Sequence, residues 1–326
     1  MRNAELIERF EGLKVLVVGD VMIDAYTKGV VERMSPEAPV PIVSQCSHFE
    51  RLGGAANVAL NLKALGAEPI VCSIVGNDEA GKTLLKLMQE QGLDVSDVIS
   101  SNSRKTTVKH RILNGDSQLL RIDEEDTSDL LCTEYSILRL VIGEAIGKQK
   151  VDGVVLQDYN KGVLTEQLIT DVIGWCQQKA IPVIVDPKKK NFFAYQGVTL
   201  FKPNVKELRE GLGVTAETPE ELQQAMLTLQ QRINCEYLMV TLSDKGVMML
   251  HDGKFDHIPA FPRNIVDVSG AGDTVLSVAA LCVATDAPAE VIAVLSNIAG
   301  GLVCEEVGVV PIDMKKFAEE ANRILS

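Results

Sequence analysis

Five short runs of this 326-residue chain are apolar from end to end and rich in β-branched residues: KVLVVG (14–19), PIVCSIVG (69–76), VDGVVLQD (151–158), IPVIVDP (181–187) and YLMVTL (237–242). A strand with one wet face alternates apolar and polar residues; a run without alternation belongs to a strand covered on both faces. Between the runs lie stretches of helical period, near 55–65, 79–92, 129–149, 165–179, 219–233, 271–285 and 288–304. Strand alternating with helix predicts an α/β fold with a mainly parallel, doubly wound sheet flanked by helices.

Two regions interrupt that rhythm. Residues 26–48, with SPEAPVPIV, and 96–123, with TTVKHRIL and SQLLRID, have strand-like period and no helix between them, which predicts a small antiparallel flap suited to a lid. No repeat or linker divides the rest, so residues 1–326 read as one domain carrying that lid.

The net charge of −13 excludes nucleic acid and anionic membranes as main partners. Seven scattered cysteines without a CxxC pair argue against a disulfide framework or a structural zinc. The charged start MRNAELIERFEG lacks a signal-peptide centre, and no apolar run reaches membrane-spanning length, so a cytoplasmic protein is expected.

Two stretches carry phosphate-binding signals. GNDEAGKT (76–83) matches the P-loop pattern letter for letter, with Lys82 and Thr83 as its functional pair. Asp78 and Glu79, however, stand where amides would have to face phosphate, so a strand-to-helix turn capped by Asp78 is the favoured reading. DVSGAGDTV (267–275) is the rival. There Gly270, Ala271 and Gly272 lead bare into a helix, their N–H groups offering an anion hole beside Asp273. A Gly-rich turn with an acid in the first helical turn is also common without any function, and the segment alone leaves both readings open.

Other stretches join it in a fixed order: GDVMIDAY (19–26) with Asp20 and Asp24, GGAANVALNLKALGA (53–67) with Gly53, Gly54 and Asn57, and KPNVKE (202–207) with Asn204 and Glu207. Acids and Gly-rich turns after strand ends sit where open parallel sheets bind ligands. By the order and spacing of these four motifs, along essentially its whole length, the chain resembles the ribokinase or PfkB carbohydrate kinase family.

The resemblance implies a ribokinase-like fold, ATP and Mg²⁺ as cofactors, and a sugar or sugar phosphate as substrate. Asp273 then looks like the base that takes the proton from the sugar hydroxyl, beside the anion hole of residues 270–272. Asn204 and Glu207 match the N-x-x-E motif that positions Mg²⁺ and phosphate, largely through water. Asp20, Asp24, Gly53, Gly54 and Asn57 match sugar-binding positions, although Asp24 alone reads equally as a turn cap and Asn57 as a helix cap. Thr241, Ser243, Gly246 and Asn297 would lie around adenine and ribose, with Asp186 and Lys188 of DPKKK also on the ATP side.

RMSPEAPVPIV (33–43), QDYNKGVL (157–164) and SQLLRIDEE (117–125) look like the members that phosphorylate D-glycero-D-manno-heptose 7-phosphate at its anomeric oxygen, for ADP-heptose and lipopolysaccharide core synthesis. A phosphorylated acceptor needs cations. Lys109, Arg111, Arg121, Lys161 and Lys188 are the candidates, with Asp158 also on the substrate side, while RKTTVKHR (104–111) reads equally as a solvated strand face. Many relatives carry a nucleotidyltransferase domain after the kinase; with none expected within 1–326, a separate partner enzyme would supply that step. Family lids often pair between subunits, so a homodimer is also expected. Another PfkB-type kinase acting on fructose, ribose or a fructose phosphate is the alternative within the family, and a P-loop NTPase using Lys82 and a non-catalytic sugar-binding regulator stand as the other readings.

Overall fold

The computed structural model describes residues 3–115, 117–148 and 150–325. In chain order its strands are β1 (Lys14–Gly19), β2 (Val21–Met34), β3 (Pro41–Gly54), β4 (Glu68–Gly76), β5 (Val98–Ser101), β6 (Thr107–Asn114) and β7 (Ser117–Glu124). They continue as β8 (Gly153–Gln157), β9 (Val183–Asp186), β10 (Leu200–Phe201), β11 (Tyr237–Thr241), β12 (Val247–His251) and β13 (Lys254–Ile258). The helices begin with α1 (Asn3–Glu8), α2 (Ala55–Ala64), α3 (Glu79–Glu90), α4 (Cys132–Lys148) and α5 (Glu166–Gln178). After them come α6 (Val205–Leu212), α7 (Pro219–Ile233), α8 (Ala271–Ala284), α9 (Ala289–Val303) and α10 (Met314–Leu325).

The main sheet runs β13-β12-β11-β10-β9-β8-β1-β4-β5, parallel from β5 to β11 and antiparallel at β12 and β13. Its unbroken apolar strands divide their side chains between two cores. Val15 and Val17 of β1 pack with α2, α8 and α9 on one face, and Leu16 and Val18 with α4 and α5 on the other. That division is the physical meaning of the missing alternation. The strand order departs in both directions from β1, toward β4 and toward β8, so the carboxyl ends of β1 and β8 form the topological switch point where such sheets hold ligands.

The flap is a second sheet of order β3-β2-β6-β7. It is not wholly antiparallel, because β2 and β6 run parallel, Asp24 facing Lys109 and Tyr26 facing Arg111. Its boundaries also differ from the expected 26–48 and 96–123. β2 starts at Val21 inside the core, and residues 98–101 pair with β4 at the main sheet's edge. Two register shifts in the β2–β3 ladder, at Lys28/Gly29 and Val31/Arg33, mark bulges in the outer half of β2. Among the described residues no helix is long and apolar enough to cross a membrane.

Candidate active site

Gly270 opens α8 in the left-handed region at φ 81°, a conformation nearly closed to residues with a side chain, and an added Cβ would also stand 3.0 Å from the Asn57 amide nitrogen. The turn it makes puts Asp273 in the first helical turn, buried at the switch point. There Asp273 Oδ1 accepts from Gln157 Nε2 (3.0 Å) and Tyr159 Oη (2.7 Å), and Oδ2 accepts from Asn57 Nδ2 (2.8 Å). Burial pushes its carboxyl up to about 7. Donation from Asn57 and Tyr159 pulls it back, and the charges of Asp186 and Asp24 add to the rise. A carboxylate that exchanges its proton near neutrality, held by neutral donors, is suited to accept a proton from a hydroxyl.

Of the amides expected to form an anion hole, one is already engaged. The Ala271 amide meets the Val268 carbonyl at 3.3 Å, and the amides of Gly272 and Asp273 follow it in the first turn of α8, where N–H groups have no intrahelical acceptor. The bare Gly272 borders a charged cluster: a Cβ there would lie 3.9 Å from Asp186 Oδ2 and 4.0 Å from Lys202 Nζ. Lys202 is 2% exposed and pairs with Asp186 at 2.9 Å. Lys188 bridges Asp186 (3.6 Å) and Glu207, and its ammonium stands 5.4 Å from the Tyr159 ring centroid. Burial opposes the charge on Asp186, but Lys188 and Lys202 outweigh it and hold the carboxyl below its usual range.

Asn204 and Glu207 owe their spacing first to helix geometry. The Asn204 side chain accepts from the Glu207 amide (2.8 Å) and the Glu207 carboxylate from the Asn204 amide (2.9 Å), a capping box that opens α6. The second Glu207 oxygen goes to Lys188, which ties the box to the charged cluster.

On the flap side, Asp24 is buried and salt-bridged to Arg111. Its carboxylate lies over Gly53, where any Cβ would run into it, and Gly54 directly precedes α2, which carries Asn57. Asp20 lies close by in sequence but has other work. Its carboxylate accepts from the amides of Tyr159 (2.8 Å), Lys161 (3.1 Å) and Val163 (3.1 Å), so it anchors the loop after β8. Asp158 is likewise internal, accepting from Tyr195 Oη and the Asn160 amide, both at 2.7 Å, with burial pushing its carboxyl up to about 6.

The flap cations converge with carboxylates among them. Lys109 and Arg121 meet Asp123 at 3.3 and 2.7 Å, and Lys109 and Lys161 meet Glu125 at 3.8 and 2.7 Å. Further along the sheet, Thr241 ends β11, Ser243 takes φ 58° in the following turn, and Gly246 begins the return into β12. Asn297 of α9 donates to the Pro259 carbonyl at 2.8 Å, beside the same turn.

GNDEAGKT takes the other course. Asp78 caps α3 through the Gly81 amide (2.7 Å) and also accepts from Thr106, while Lys82 pairs with Glu79 on the exposed face. Lys82→Ala is therefore expected to leave ATP turnover within about twofold of wild type, as exposed pairs contribute little. A collapse of ATPase or kinase turnover in a coupled assay would reinstate the P-loop.

Three residues of this site went unrecognised in the sequence: Gln157, Tyr159 and Lys202. The first two lie in QDYNKGVL (157–164) at the end of β8, and a strand end is the signal that marks them. Lys202 directly precedes Pro203 and Asn204, and only its burial against Asp186 sets it apart.

The chain matches the description "pfkB family carbohydrate kinase" over residues 13–315. It is 39% identical over 306 residues to the "Bifunctional protein HldE" of Methylobacillus flagellatus, covering 94% of this chain and 62% of that one. To the protein of the same name from Syntrophotalea carbinolica it is 38% identical over 314 residues, covering 96% and 64%. The chain thus spans less than two thirds of these relatives' length. Their name describes one bifunctional protein, so the expected separate nucleotidyltransferase partner finds no support in them. In structure the chain is similar to the tetrameric inhibited form of phosphofructokinase-2 from Escherichia coli, with TM-score 0.79 and 17% identity over 96% of this chain and 99% of that one, a likeness of fold.

Proposed function

The chain belongs to the pfkB family of carbohydrate kinases, phosphotransferases with an alcohol acceptor, and from that premise we propose that it transfers the γ-phosphoryl group of ATP to a hydroxyl of a sugar phosphate. The observation that carries this reading is Asp273. It is a buried carboxylate with a pKa near neutrality, at the amino end of a helix whose first-turn amides adjoin Lys202 and Lys188. Base, anion hole and cations are the parts that phosphoryl transfer requires, since positioning and charge stabilisation dominate its catalysis.

In this reading Asp273 takes the acceptor's proton as the new bond to phosphorus forms. The amides of Gly272 and Asp273 face the transferred group, and Lys188 and Lys202 offset its charge. Asp24, Gly53 and Asn57 hold the sugar, and Thr241, Ser243, Gly246 and Asn297 border the nucleotide. Mg²⁺ suits the oxygen donors present: Asp186 Oδ1 is buried without a hydrogen-bond partner, and Glu207 stands opposite across Lys188. Among the described residues no group of three or more His, Cys, Asp or Glu is arranged for a metal, so hydration and nucleotide oxygens would complete the shell. When bound, the ion would neutralise charge on the phosphates.

Heptose 7-phosphate is the acceptor this reading favours, by the resemblance of residues 33–43, 117–125 and 157–164 and by the identity to proteins named HldE. The acceptor's phosphate would meet Lys109, Arg111, Arg121 and Lys161, exchanging Asp123 or Glu125 for itself. Pairing of flap strands between two subunits would account for the exposed Leu119, Leu120 and Ile122 of β7. An ADP-release screen over heptose 7-phosphate, fructose phosphates, ribose and fructose tests the assignment, with the highest kcat/KM expected on heptose 7-phosphate. Turnover confined to unphosphorylated sugars would refute the sugar-phosphate reading and keep the kinase.

A further inference from the structure

Each oxygen of a carboxylate has two lone-pair directions. Asp273 Oδ1 has both engaged, by Gln157 (3.0 Å) and Tyr159 (2.7 Å), whereas Oδ2 has one engaged, by Asn57 (2.8 Å). All three donors come from outside α8: Asn57 from α2, Gln157 from the end of β8, Tyr159 from the loop that follows. Among the described residues no second donor meets Oδ2, so its remaining direction is the one left for an acceptor hydroxyl if Asp273 is the base.

We propose that Tyr159 is a positioning residue: with Gln157 it saturates Oδ1, so that Oδ2 of Asp273 is turned to the acceptor, and its ring seats Lys188 on the phosphate side. The placement is built from below. Asp20, 1% exposed, gathers the amides of Tyr159, Lys161 and Val163 and so fixes the loop from which the phenol reaches Asp273. On its other side Lys188 lies 5.4 Å from the ring centroid, held there by Asp186 and Glu207. One side chain thereby links the proton-accepting and phosphate-holding halves of the site, and an otherwise unexplained buried acid, Asp20, acquires a purpose.

The inference rests on Asp273 being the base. The groups facing Asp273 are Asp24 from β2, Asp186 from β9, Lys188 and Lys202 from the segments after β9 and β10, and the neutral Asn57, Gln157 and Tyr159. The phenol stabilises the carboxylate form, so its loss raises the pH at which the base becomes available.

The test is Tyr159→Phe, which keeps the ring beneath Lys188 and deletes one O–H. The acidic limb of the kcat–pH profile, with a sugar phosphate turned over by wild type, is expected to move up by about one unit, and kcat at pH 7 to fall roughly fivefold. KM for the acceptor should stay within about twofold. Tyr159→Leu, lacking the seat as well, should add a several-fold rise in KM for ATP. A wild-type pH profile in Tyr159→Phe overturns the inference. Should that variant not fold, an unchanged acidic limb in Tyr159→Leu overturns it equally. Asp273→Asn separates the two levels: if it is inactive while Tyr159→Phe behaves as wild type, only the role of Tyr159 falls; if it turns over normally, the base assignment falls and this inference with it.

Discussion

Asp273→Asn is expected to lower kcat by roughly 10² to 10⁴-fold while leaving ATP affinity largely intact, the signature of a lost general base. Asparagine preserves the shape of the side chain and its place in the first turn of α8. What it cannot do is accept a proton from a hydroxyl. The pH behaviour should separate the chemical role from damage to the fold. With its carboxyl at about 7, Asp273 is deprotonated and competent above that pH, so wild-type kcat rises through neutrality and levels off, while residual activity of the variant lacks this limb. Stability moves in the opposite sense. A buried carboxyl with a raised pKa favours the folded state only when protonated, so the cost of its charge develops as pH climbs from the ordinary 3.8 to about 7. The stability of Asp273→Asn relative to wild type should therefore increase across that interval in thermal melts. Near-normal turnover by the variant would refute the central assignment.

Lys202→Met should cost about 3 kcal/mol of folding stability, at the lower end of what a broken buried ion pair costs. The methionine fills the space of the lysine stem but strands Asp186, whose Oδ2 loses its partner at 2.9 Å and whose charge is left to Lys188 at 3.6 Å. Asp186 has its carboxyl held below the usual range, so the pair stabilises the fold above pH 3.8 and ceases to do so as pH falls through the lowered folded value. The penalty read from urea unfolding should accordingly shrink in acid. Adding Asp186→Asn to the variant should recover part of it, because no stranded charge then remains. Unfolding at the wild-type urea midpoint would show that the pair contributes nothing.

Most of the architecture was legible because parallel strands buried on both faces have no choice but to be apolar throughout. The two cores on either side of β1 are the direct result. β5 was misassigned to the flap because VISS reads as strand in either sheet, and only its register against Ser73–Gly76 decides between them. Asp273 was visible through its glycines. Its partners Gln157 and Tyr159 stand at a strand end, but 116 and 114 positions from Asp273, and only the packing of α8 against the end of β8 makes them its neighbours. The N-x-x-E spacing was read for its ligand chemistry, yet three residues is also the interval of a capping box, and the helix start explains it without a metal. The cations of the flap were identified without their counterions, because Asp123 and Glu125 pair with Lys109 and Lys161 across strands and loops.

The long strand β2 has two different halves. From Val21 to Tyr26 it is buried in the body of the protein, and its outer part, beyond the bulge at Lys28/Gly29, is progressively exposed. Bulges are where a paired strand bends most easily. The place to flex therefore lies outward of Asp24, not between Asp24 and the core. Bending there would swing the outer flap like a handle and leave the inner strand mortised in the wall, so Asp24 would keep its alignment with Asp273.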